Sequence, residues 1–71
     1  MRRDCVTEIV VMWQGGSMES FPTQYEAEMF INFNLDDLGE PLAAWREDMK
    51  GNKKWDYRIE EDEEGKIVLA D

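Results

Sequence analysis

Carboxylates are the side chains in this sequence with the most chemical potential. Five stand in a row, Glu60-Glu61-Asp62-Glu63-Glu64, and Asp36-Asp37 and Glu47-Asp48 form further adjacent pairs. Hydrolysis needs a nucleophile–base pair, a carboxylate dyad or a metal ion. The chain has no histidine, so only the last two routes remain. Acid pairs this abundant single out no dyad. Glu64-Gly65-Lys66 matches the Glu-x-Lys half of a metal-dependent nuclease motif, in which carboxylates hold Mg²⁺ and the lysine assists the attacking water. Half a motif specifies little, and so acidic a field repels a phosphodiester. No stretch has the alternating acids, central glycine and closing glutamate of a calcium loop. Without histidine or a second cysteine there is no zinc set. Gly15-Gly16 lacks the lysine and following helix of a phosphate loop. The expectation is a protein with no catalytic residues, no metal and no cofactor.

The charge balance points to the partner class. Eight basic and 17 acidic residues leave a net charge of −9 over 71 residues. Such a surface repels nucleic acid and anionic lipid and attracts basic protein surfaces. Lys53, Lys54, Trp55 and Arg58 come closest to a nucleic-acid patch, but three cations and a tryptophan inside that field make a poor funnel. The run Glu60–Glu64 has two readings. It is a solvated turn that blunts edge-strand pairing, or it imitates a polyanion. An extended strand spaces residues by about 3.3 Å, close to the roughly 3.4 Å charge spacing along one DNA strand. A turn at 62–65 would bend that match, whereas Asp36, Asp37, Glu40, Glu47 and Asp48 would extend the acidic surface.

Positioning these groups falls to a single domain, residues 1–71. A core of this size rarely supplies more than about 3–5 kcal/mol without a staple. Cys5 is alone, so no intrachain disulfide forms, and a lone thiol fits a reducing compartment. Arg2-Arg3 opens like a signal peptide, but Asp4 and Glu8 interrupt the apolar stretch that should follow. The run Ile9–Trp13 is far short of the roughly 20 residues that cross a bilayer. The reading is a soluble, cytoplasmic protein stabilised by aromatic and Met packing or by self-association.

Residues 6–13 read as a strand closed by a Gly15-Gly16 turn; in residues 17–24 Met18 and Phe21 could begin a returning strand, but Pro22 suggests an edge or a loop. Residues 23–35 carry two signals. Thr23-Gln24-Tyr25-Glu26 is a helical capping box. Against it, Tyr25, Ala27, Met29, Ile31, Phe33 and Leu35 occupy every odd position, and Asn32 and Asn34 are poor helix residues. The alternation favours a strand. Pro41 at a first helical position, the stripe Leu38-Leu42-Trp45-Met49 and Gly51 as terminator predict a helix over 40–50. Trp55, Tyr57 and Ile59 alternate with charged residues in a further strand, and Lys66–Ala70 forms the last. The predicted fold class is α+β: about four antiparallel strands in the order β-β-α-β-β, with one amphipathic helix on one face.

The stripe places Trp45 in the core. Trp13 and Trp55 stand at strand ends, where tryptophan is either partly buried or an interface anchor. From Met29 to Glu61 the chain resembles short hypothetical proteins encoded by bacteriophages. The shared residues are Phe33-Asn34-Leu35-Asp36-Asp37, then Gly51, Lys53, Trp55 and Tyr57. In size, charge and layout the chain is similar to small acidic phage anti-restriction and anti-CRISPR inhibitors, several of which mimic DNA. That likeness implies a non-enzymatic protein that blocks a basic nucleic-acid-binding site on a host enzyme. The expected partner surface is Glu60, Glu61, Asp62, Glu63, Glu64, Asp36 and Asp37, with Trp55 or Trp13 as apolar anchor. The alternative is a homodimeric assembly protein whose acids only solvate it.

Overall fold

The computed structural model describes residues 7–70. The Arg2-Arg3 opening, Cys5 and the first residue of the expected 6–13 strand lie outside them. The described residues form an α+β unit with one antiparallel sheet. Its elements are β1 (Thr7–Met12), β2 (Met18–Phe21), α1 (Gln24–Phe33), α2 (Leu35–Leu38), β3 (Ala43–Asp48), β4 (Lys53–Glu61) and β5 (Ile67–Ala70). The strand order is β2-β1-β3-β4-β5, with every neighbouring pair antiparallel.

The expected fold class is met at this level, but two elements are exchanged. Residues 24–33 are helix, and residues 43–48 are strand. Thr23 caps the start of the first. Thr23 Oγ1 accepts the Glu26 N–H at 3.2 Å, and the Ala27 N–H reaches the Thr23 carbonyl at 3.1 Å. The odd-numbered alternation is a product of two helical rows. Ala27 and Ile31 point into the core, while Tyr25, Met29 and Phe33 form an exposed row. Two i, i+4 rows offset by two residues give an apparent period of two. The stripe Leu38-Leu42-Trp45-Met49 was coincidental. Leu38, Leu42 and Met49 are exposed, and β3 pairs with β1 and β4 on its two sides.

Trp13 closes the core. Ile9, Val11 and Trp13 of the first strand and its turn meet Ala27 and Ile31 of α1, Ala44, Tyr57, Ile67 and Leu69, with Phe21, Phe30, Leu35 and Ile59 at the margin. Although β2 and β5 are opposite edges of the sheet, α1 packs on both, so the strands curl around the helix. The nine-residue β4 makes this curl. Lys53–Tyr57 pair with β3, and Arg58–Glu61 pair with β5.

Three hairpins share one construction. The loops after Trp13, Asp48 and Asp62 each end on a glycine at positive φ, namely Gly16, Gly51 and Gly65, where a Cβ would be strained. Asp48 Oδ1 accepts the N–H groups of Lys50 and Asn52, both at 2.9 Å. The Asn52 N–H is the main cause holding the Asp48 carboxyl below the usual aspartate range, opposed by slight burial and aided by the Lys50 N–H and Lys54. A depressed folded-state pKa stabilises above the unfolded value of about 3.9, and that contribution is lost as pH falls through the folded value. Urea melts should therefore show wild type more stable than Asp48→Asn near neutrality. The gap should close progressively as pH falls below the unfolded aspartate value of about 3.9 and through the lower folded one; a constant gap would refute the assignment.

Candidate anionic interaction surface

The antiparallel registers bring the acidic segments to one end. β1 and β4 finish there, and β2, β3 and β5 begin there. The direction of α1 is set by its side chains. Gln24 and Glu28 bond Leu69, whereas Asn32 bonds Ile67, so the helix also finishes at this end. The Trp13 Nε1–H donates to the Gly39 carbonyl at 3.2 Å, and the Leu42 N–H to Met12, which tie the α2 segment to the same end. Asp36, Asp37, Glu40 and Glu60–Glu64 thus share it. Over residues 34–42 and 60–67, eight carboxylates against Lys66 leave −7 of the chain's −9. Lys50, Lys53 and Lys54 lie at the opposite end, in the β3–β4 hairpin.

Within the five-acid run the groups differ. Glu60 pairs with Arg58 at 3.4 Å and Glu64 with Lys66 at 3.5 Å, both exposed pairs that contribute little. Asp62 Oδ1 accepts the N–H groups of Glu64 and Lys66, so it is engaged in making the turn. Among the described residues no ion pair involves Glu61 or Glu63. As expected, the turn bends the run. Its charge therefore forms a cluster, and the linear spacing of a polyanion strand is not reproduced.

Neither proposed tryptophan offers an exposed anchor beside these acids. Trp13 is 1 % exposed, edge-on to Phe30 at 5.7 Å, and has no surface to offer a partner. Its place beside Gly15-Gly16 looked peripheral, but the returning α2 segment covers it. Trp55 is 46 % exposed, yet it lies at the start of β4 under Arg46, whose guanidinium is 5.5 Å from the ring. Five strand positions, roughly 17 Å, separate it from Glu60. Arg46 also donates to the Tyr57 and Thr7 hydroxyls at 3.0 and 2.9 Å, so this cluster braces the sheet. Trp45 is partly buried and stands on the other face, with Lys53 Nζ 5.6 Å from its ring.

An apolar row on α1, Tyr25, Met29 and Phe33, runs toward the acidic end, and sequence reasoning missed it. They are 71, 53 and 90 % exposed. The signal was present in their i, i+4, i+8 spacing, but the period-two reading concealed it. Among the described residues no group of three or more potential ligands converges as a metal site. Nor is any described helix long and apolar enough to cross a membrane. Compared with known proteins, the chain matches no family model, no curated protein and no solved structure.

Proposed function

We propose that this chain is a non-catalytic binding module whose anionic end occupies a basic, nucleic-acid-binding surface on another protein. The segregation of −7 to one end of the sheet carries this reading, because a clustered field steers association where a dispersed one only solubilises. Occupying such a surface competes with nucleic acid, which makes the module an inhibitor of the kind its likeness to phage proteins suggests. Glu61 and Glu63, together with Asp36 and Asp37, supply the charge that the fold does not itself use.

Immobilised protein should retain basic nucleic-acid-binding proteins from a host lysate at low salt and release them to added DNA. Glu61→Lys/Glu63→Lys should reduce capture about tenfold, since like charges at a cationic site cost well over 1 kcal/mol. Capture that is indifferent to both DNA and charge reversal would overturn the reading. A second reading, homo-oligomeric assembly, is favoured by the exposed Tyr25-Met29-Phe33 row. Sedimentation at micromolar concentration separates the two.

A further inference from the structure

We infer that the exposed row of α1 is a second docking surface, and that its occupant is a cationic amphipathic helix of the partner protein. Tyr25, Met29 and Phe33 stand in line over two helical turns, about 12 Å. Met29 and Phe33 form a ridge between two hollows. One, between α1 and β5, has Ile67 and Val68 in its wall, and the other, toward β2, has Phe21 and Phe30. Phe33 is 90 % exposed and adds almost nothing to folding. Isolated apolar residues on a surface are ordinary, but a contiguous row flanked by apolar hollows has the shape that receives a helix.

Charge selects the occupant. Glu26 borders the β2 hollow, and Glu28 and Asp62 border the β5 hollow. Among the described residues the one cation there, Lys66, already has Glu64 at 3.5 Å. Asp36 and Asp37 follow three and four residues after Phe33, and the last turn of α1 has no basic residue to offset the negative end of its dipole. A second copy would set this acidic rim against itself, with −9 on each chain. A helix carrying Lys or Arg beside its apolar stripe satisfies both the ridge and the rim. The inference rests on the proposed function for a basic protein partner. It adds that the apolar anchor is α1, in place of Trp13 or Trp55.

The probe is a leucine–lysine peptide of about five helical turns with leucine on one face. A scrambled peptide of the same composition and a leucine–glutamate peptide with the same apolar face serve as controls. Fluorescence anisotropy should show binding of the first alone, weakened at about 0.5 M salt. Phe33→Asp and Met29→Asp should each weaken it about tenfold or more, as loss of a central anchor does. Both sites are exposed, so circular dichroism should show the fold intact. Equal binding of the scrambled peptide, or indifference to Phe33→Asp, would overturn the inference. So would a wild-type dimer that Phe33→Asp dissociates, because the occupant would then be a second copy. Peptide binding without DNA-sensitive capture would sink the proposed function instead, and the reverse result would sink only this surface.

Discussion

Trp13→Ala should unfold the domain. The side chain is among the largest that are fully buried, and it joins three parts of the chain: β1, the Phe30 ring of α1 at 5.7 Å and the Gly39 carbonyl beyond α2. Truncating a buried tryptophan costs about 3–5 kcal/mol, which matches the whole stability usually available to a domain of this length. Trp13→Phe keeps the edge-on contact but orphans the Gly39 carbonyl, at about 1–2 kcal/mol. Far-UV circular dichroism and urea melts should show the alanine variant largely unfolded at 25 °C and the phenylalanine variant folded with a lower midpoint. A stable, cooperative Trp13→Ala variant would mean that the core is not organised as described. Any loss of partner binding in that variant would also have to be read as loss of fold.

Asn32→Ala should loosen the β5 edge. An edge strand exposes unpaired backbone groups, and here α1 satisfies them. The Asn32 amide donates to the Ile67 carbonyl at 2.9 Å and accepts the Ile67 N–H at 2.7 Å, bonding as a neighbouring strand would. Glu28 accepts the Leu69 N–H at 2.8 Å, and Gln24 donates to the Leu69 carbonyl at 2.6 Å. The three residues are spaced i, i+4, i+8, so one helical stripe covers one strand edge. Removing Asn32 should cost about 2–3 kcal/mol, because two half-buried backbone groups lose their partners together. Hydrogen exchange should rise first at the Ile67 and Leu69 amides. Asn34→Ala, which loses one bond within the helix to Phe30 at 2.9 Å, should cost about 0.5–1 kcal/mol. Equal effects at the two asparagines would refute the edge role.

The same asparagines explain why part of the fold was hard to read. Asn32 argued against a helix because its amide competes with the local backbone, and in the folded chain that amide bonds a strand 35 residues away. The exposed apolar row, which local pattern could not distinguish from a buried one, completed the strand-like alternation. Conversely, Leu38, Leu42, Trp45 and Met49 fell at helical spacing, although Ala44 is the residue that β3 buries against the core. Strands β1, β4 and β5 were legible because β-branched or aromatic residues alternate between glycine-ended turns. So was the edge position of β2, from Pro22.

Composition and nearest neighbours were enough to fix the charge excess, the lack of histidine-based chemistry, the turns at Gly15-Gly16 and Asp62–Gly65 and the α+β class. Tertiary structure alone decided that 24–33 is helix, that 43–48 is strand and that Trp13 is core. It also decided that acids nearly thirty positions apart share one end. These depend on which surfaces meet. A helix can hold Asn32 and an uncovered apolar row when one stripe closes a sheet edge and another fills the core, and no local window contains that information.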